Sequence, residues 1–193
     1  MIYPSLNFLA QELNSYIFEK WGSNINGTNE IVTLGNIANI NDEKTDLQNK
    51  IVITLLKIEE ESSLKNSSFY TKKPDEKVVK HHPPVNLNLY LLVSVTKKTY
   101  SEALQLLSDT VTFFQSHKVF TKDTGDSKFR IVTEFHDINF QEAFEMWSNL
   151  GNKQFPFAIY KLRLLRFLDV TEARDINLIK EVRLESSEGP NFN

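Results

Sequence analysis

The chain contains no cysteine, which removes disulfides, thiolate nucleophiles and cysteine-based metal sites together. That absence suits a reducing compartment. Glycine is scarce, and the six present (Gly22, Gly27, Gly35, Gly125, Gly151 and Gly189) never cluster. Neither a Walker A loop nor a G-x-G-x-x-G turn can be drawn, so backbone cradling of phosphate is not expected. No G-x-S-x-G elbow offers a serine nucleophile. The four histidines (His81, His82, His117 and His136) form no H-x-x-x-H or H-x-H pair. Adjacent His81 and His82 would point to opposite sides of an extended chain, a poor geometry for one metal. No window approaches the ~20 apolar residues that span a bilayer, and the N-terminus lacks the basic start and apolar run of a signal peptide. A net charge of -3 gives no electrostatic footprint for nucleic acid. The expectation is a soluble, non-enzymatic protein of the cytoplasm, without cofactor or metal.

What is present is ordinary for a globular protein: 40% hydrophobic and 24% charged residues. At 193 residues the chain suffices for one domain that buries roughly 70% of its unfolded surface. The reading is one domain over 1–185, with an exposed, lysine-rich arm at 67–82 and a flexible tail at 186–193. Fourteen phenylalanines point to large packing surfaces, inside the fold or between subunits.

Periodicity predicts the elements. Leu6, Leu9, Ala10, Leu13 and Ile17 recur at helical spacing, with Ser5 as N-cap. A short strand at 31–36 precedes a strand at 51–56, apolar on both faces apart from Thr54 and so suited to the middle of a sheet. Glu59, Glu60 and Glu61 read as a solvated acidic turn leading into a short helical turn near Asn66. Val85, Leu87, Leu89, Leu91, Val93 and Val95 alternate with Asn86, Asn88, Tyr90, Ser94 and Thr96, a strand long enough for its Asn86–Asn88 end to project. Thr99 and Glu102 suggest a capping box opening a helix whose buried stripe is Tyr100, Ala103, Leu104, Leu107, Val111 and Phe114, widened by Leu106 and Phe113. Phe129, Ile131, Thr133 and Phe135 alternate as a strand. Asn139 and Glu142 form a second capping box, opening a helix with Phe140, Ala143, Phe144, Trp147 and Leu150 toward the core. A strand follows at 157–168, and a weaker one at 176–184. The order α-β-β-β-α-β-α-β-β is too irregular for repeated βαβ units and predicts an α+β fold: a mixed, mostly antiparallel sheet with three main helices.

Surface features suggest contacts rather than chemistry. Lys161 and Arg163 share a strand face, and Arg166 joins them only if a bulge intervenes. They are either a solvated sheet face or a docking surface for an acidic ring. Phe69 and Tyr70 either fold back on the core or anchor a partner. His81 and His82 read as loop or interface residues.

One ordered series of residues says more. It runs through Asn36-Ile37-Ala38, Ile58-Glu59-Glu60-Glu61 with Leu64-Lys65-Asn66, and P-P-V-N-L-N-L-Y at 83–90. It continues through Tyr100, Ala103-Leu104, Leu107-Ser108, Phe113-Phe114-Gln115 and Val119-Phe120, then Trp147, Leu150-Gly151, Pro156 and Tyr160-Lys161-Leu162-Arg163. Over about 31–167 the chain resembles the N-terminal domain of the cap, or tail-terminator, proteins of extracellular contractile injection systems and related type VI-like machines. The family pattern has an arginine after the glutamates, where this chain carries Ser62 and Ser63. Some members carry an added C-terminal region. The resemblance implies a structural cap, a homo-hexameric ring on the distal end of a phage-tail-like particle. It would touch the inner tube protein, the sheath protein and, in some systems, a second cap protein, after assembly in the bacterial cytoplasm. A heterologous interface propagates until a subunit binds the growing end and offers no equivalent face onward. Asn86, Asn88, Lys161, Arg163 and Arg166, with Phe69, Tyr70, His81, His82, Leu178, Lys180 and Val182, are the expected contact residues. The alternatives are a baseplate or tube-linking adaptor of the same machine, a binding module for a membrane anchor, or a small enzyme.

Overall fold

A computed structural model describes residues 2–22, 30–61, 70–72, 78–80, 86–124, 127–151, 153–166 and 174–176, the strands at 70–72, 78–80 and 174–176 by backbone alone. The elements are α1 (Ile2–Trp21), β1 (Val32–Leu34), β2 (Ile51–Glu60), β3 (Tyr70–Lys72), β4 (Val78–Lys80), β5 (Leu87–Val95), α2 (Tyr100–Ser116), β6 (Val119–Thr124), β7 (Ser127–Phe135), α3 (Phe140–Asn149), β8 (Phe157–Arg166) and β9 (Arg174–Ile176). The fold is the expected α+β, with three helices and a mixed, mostly antiparallel sheet. The chain divides into two compact units, one of Met1–Leu64 with Pro84–Leu168 and one of Lys65–Pro83 with Asp169–Asn193.

The larger unit holds a six-stranded sheet in the order β1-β2-β5-β8-β7-β6, in which only β1 and β2 run parallel. β2 and β5 lie inside it, as their apolar character requires. One sheet face carries Ile51, Ile53, Leu89, Leu91, Val93, Tyr160, Leu162 and Ile131 and packs against α1 and α2. The α1 stripe of Leu6, Leu9, Ala10, Leu13 and Ile17 is fully engaged there. Each such leucine or isoleucine contributes ~1.5–3 kcal/mol of burial. Asp109 of α2 ties the helices together by accepting from the Trp21 indole at 2.7 Å and pairing with Lys20.

Among the described residues, the opposite face carries an apolar layer at one end only. There Val52, Leu92 and Ile159 pack under a 3-10 turn, Ile37–Asn39, together with Ile40, Leu47 and Trp147 of α3. Asn139 caps α3 as expected: its side chain accepts from the Glu142 N–H and the Glu142 carboxylate accepts from the Asn139 N–H, both at 2.9 Å. Gly151 ends the helix at φ +67°, a left-handed conformation that costs a side-chain-bearing residue and suits glycine.

Several local expectations are corrected. Ser5 is not a cap; α1 begins at Ile2, and the Ser5 hydroxyl donates to the Ile2 carbonyl at 2.8 Å. Thr99 is the N-cap of α2 without a side-chain cap bond, and Glu102 instead lies 3.7 Å from Lys97. The α2 stripe is rotated, with Ala103, Leu106, Thr110, Phe113 and Phe114 buried while Tyr100 and Leu104 are exposed. Against two layers (α1 beside it and the sheet beneath) a helix buries a different arc from the one its own apolar count suggests. Phe140 and Phe144 face solvent because α3 closes on the sheet through its C-terminal half, Met146, Trp147 and Leu150. Three strands more than expected are present among the described residues: β6, which forms a hairpin with β7, and β3 and β4 in the arm.

The smaller unit is a three-stranded antiparallel sheet, β3-β4-β9. The arm at 67–82 thus supplies two paired strands, with Tyr70 opposite Lys80 and Val78 opposite Ile176. Of the strand expected at 176–184, the described part ends at Ile176. Leu178, Lys180 and Val182, like Phe69, His81 and His82, lie outside the described residues.

Candidate functional site

The other end of the second sheet face is polar, and the register explains how. In β5, Asn88 and Tyr90 share the face of Leu92 and Ser94 but lie beyond α3. Asn88 sits between Glu59 and Arg163, and Tyr90 between Lys57 and Lys161. Arg163 and Lys161 in turn stand beside Val132 and Glu134 of β7.

On the β2 side the arrangement depends on one extra residue. Leu55 pairs with Leu91 and Lys57 with Tyr90, so Leu56 is a bulge. A bulge shifts the alternation of everything after it. Leu56 and Lys57 consequently share a face, and Lys57, Glu59 and Glu61 turn to the polar side while Ile58 takes the other. The acidic turn expected at 59–61 is therefore strand, continued by the Glu61 N–H donating to the Asn86 carbonyl at 2.9 Å.

The side chains form a linked set. The Tyr90 hydroxyl donates to Glu59 Oε2 at 2.9 Å, and Lys57 pairs with the other oxygen of that carboxylate. The Lys57 and Lys161 ammonium groups lie 5.9 and 6.0 Å from the centre of the Tyr90 ring, which His136 meets edge-on at 5.0 Å. Asn88 Nδ2 donates to Glu61 Oε2 at 2.8 Å, and Arg163 Nη2 donates to Glu134 Oε1 at 2.7 Å. Hydrogen bonds from Lys57 and then Tyr90 hold the Glu59 carboxyl below its ordinary range. The same contacts raise Lys57 and Tyr90. Asn88 Oδ1 is buried with no hydrogen-bond partner among the described residues.

The expected contact residues divide as follows. Asn88, Lys161 and Arg163 come together here, with Asn86 at the margin. Asn86 and Asn88 do not project: β5 is paired on both edges over Leu87–Ser94, and Asn88 is 5% exposed. The β7–β8 register runs unbroken to Arg166, which pairs with Phe129, so no bulge returns it to the parity of Lys161 and Arg163. Tyr70 lies in β3 of the other unit. Sequence reading missed Lys57, Glu134 and His136, which become neighbours only through strand order, and assigned Glu59 to a turn.

Three positive groups (Lys57, Lys161 and Arg163) interleave with three carboxylates (Glu59, Glu61 and Glu134), a self-neutralising lattice. Fixed charges of alternating sign set register and partner choice at an interface more than they add affinity. Among the described residues no cluster of three or more His, Asp or Glu is placed to hold a metal. None of the described helices is long and apolar enough to cross a membrane. Beside the lattice, α3 presents Phe140 and Phe144, 97% and 74% exposed and one turn apart, whereas the exposed Phe135 lies on the other sheet face, against Tyr160. Large aromatics grouped this way mark contact surfaces.

Residues 6–181 match the family model described as the Pvc16 N-terminal domain. Among solved structures, the chain is similar to the sheath/tube terminator of PVC, an extracellular contractile injection system, in its extended state. That match has a TM-score of 0.51 at 14% identity, over 74% of this chain and 52% of that one. It is also similar to the tube-terminating cap of the anti-feeding prophage, with a TM-score of 0.52 at 14% identity over 90% of this chain and 60% of that one. The chain thus spans between half and three-fifths of the length of these two proteins, and at this identity the likeness establishes a shared fold. The comparison with curated proteins returns no match.

Proposed function

The chain belongs to the Pvc16 N-terminal domain family, and from that membership we propose that it is a structural cap that ends the inner tube and sheath of a contractile, phage-tail-like injection particle. The observation that carries this reading is the fold shared with two terminators, over as much as 90% of the chain in the case of the anti-feeding prophage cap. The surfaces agree with it. A lattice of opposed charges beside exposed phenylalanines offers orientation and apolar burial, the two ingredients of a subunit interface. The cap acts as a homo-hexameric ring, assembled in the bacterial cytoplasm. It seats on the last tube ring and engages the last sheath ring, and its outer face presents no copy of the surface that tube or sheath subunits add to. It works by occupying an end rather than by transforming a bound molecule.

Native mass measurement of the purified chain, alone and mixed with the tube protein of the same particle, tests this. A hexamer, formed alone or on addition of tube protein, is the expected result. A monomer indifferent to both tube and sheath proteins contradicts it.

A further inference from the structure

Two surfaces of the larger unit complement one another, yet the sheet lies between them and they cannot meet within a single chain. The first is a knob. α3 packs on the sheet through Trp147 and carries Phe140 and Phe144 on its solvent side, both largely exposed. The charges on that helix are Glu142 and Glu145, with no cation among them. The Glu142 carboxylate is engaged in the capping box. Glu145, next to Phe144, accepts from the neutral Gln141 amide at 2.9 Å, which leaves its charge uncompensated.

The second is a hole. On the other sheet face a cavity of about 600 Å³ opens between the C-terminal part of α2 and strands β7 and β8. Buried Phe114, Thr133 and Tyr160 form its floor, the two rings 4.4 Å apart, and Val111 and Phe135 stand beside them. The volume falls within the ~300–1,000 Å³ of pockets that enclose small organic groups, so phenyl rings fit. Exposed Lys118 supplies the charge at the rim and has no carboxylate partner among the described residues. Glu134 also borders the cavity, but its carboxylate is bonded to Arg163 on the opposite face.

We propose that Phe140 and Phe144 of one protomer fill this cavity in a second copy of the chain, with Glu145 of the first facing Lys118 of the second. The occupant is another copy because this chain itself carries both halves, an apolar knob with an anionic edge and an apolar hole with a cationic rim. Since the two lie on opposite sheet faces, each copy engages one neighbour through α3 and another through the cavity. A head-to-tail contact of this kind closes into a ring when its rotation permits. The inference assigns the contact that closes the ring of the proposed cap, and it rests on that reading.

The test follows the mass of the full chain against its concentration, in the condition (alone or with tube protein) where the unmodified chain assembles. Phe140→Ala combined with Phe144→Ala should raise the concentration at half-assembly at least tenfold, with unchanged circular dichroism. Gln115→Trp, at an exposed helix position lining the cavity, should do the same. Lys118→Glu should weaken assembly at least fivefold, and adding Glu145→Lys to it should restore assembly, which a contact with tube or sheath protein would not allow. If the paired phenylalanine variant or Gln115→Trp assembles as readily as the unmodified chain, or the charge exchange restores nothing, this contact is overturned and the terminator reading stands. If the unmodified chain stays monomeric with tube and sheath proteins present, the terminator reading falls and takes this inference with it.

Discussion

Strands β2, β5 and β8 each run through two unlike neighbourhoods on the same sheet face. At one end Val52, Leu92 and Ile159 are sealed beneath Trp147 and the 3-10 turn. At the other end the same strands carry Lys57 and Glu59, Asn88 and Tyr90, and Lys161 and Arg163. The first end is held by burial and tolerates little change. The second is held by hydrogen bonds and ion pairs that water weakens, and it leaves a buried oxygen of Asn88 unsatisfied. Polar groups in a position where apolar ones would stabilise more are what an interface asks for, at some loss of stability.

The largest expected effect is at the sealed end. Trp147→Ala removes the centre of the α3 contact and should cost about 3–5 kcal/mol, read from urea denaturation. A loss below about 1 kcal/mol would erase the distinction between the two ends.

Tyr160 tests the other face of the sheet. Its hydroxyl is buried without a partner among the described residues, and burial pushes its pKa up to about 12. The unfolded tyrosine ionises near ~10. Stability from this group is therefore fully present below pH ~10 and lost as pH rises toward 12, because the unfolded chain gives up its proton first. Tyr160→Phe should abolish that alkaline loss and leave neutral-pH stability equal or higher by up to about 1 kcal/mol. Equilibrium denaturation from pH 8 to 12 checks both.

Asn88→Leu extends the apolar half into the polar one. It should change stability by no more than about 1 kcal/mol, since it removes an unsatisfied oxygen along with the bond to Glu61, while weakening association with particle proteins. A loss near 3 kcal/mol would mean the polar end is structural after all.

The smallest effect belongs to Glu59. Its folded pKa is depressed by Lys57 and Tyr90, so its contribution is present above the unfolded carboxylate value of ~4.3 and disappears as pH falls through the folded value. The difference between the unmodified chain and Glu59→Gln should be small at pH 7 and vanish at pH 2–3. A difference that grows with acid would reverse the assignment.

Much of this fold can be read from alternation and spacing, because α1, β5 and α3 each carry a period and a cap or stop within a few residues. The contact residues are harder. Asn88, Lys161 and Arg163 are visible as polar interruptions in apolar strands, yet their neighbourhood depends on β5 lying between β2 and β8, which no local signal states. The bulge at Leu56 is the sharpest case. Strict alternation from Thr54 predicts Ile58 and Glu60 on the polar side, and one inserted residue gives Lys57 and Glu59 instead. Likewise Phe140 and Phe144 share the period of Trp147, and only the way α3 approaches the sheet leaves them in solvent.

The central claim is that the chain stops growth, and particle length measures that directly. Tubes and sheaths assembled with the chain should show one narrow length distribution in negative-stain images, and assembled without it a broad distribution with longer, uncapped ends. Equal, narrow distributions in both cases, or no particles at all without the chain, would contradict the account, the second pointing to a baseplate or adaptor role.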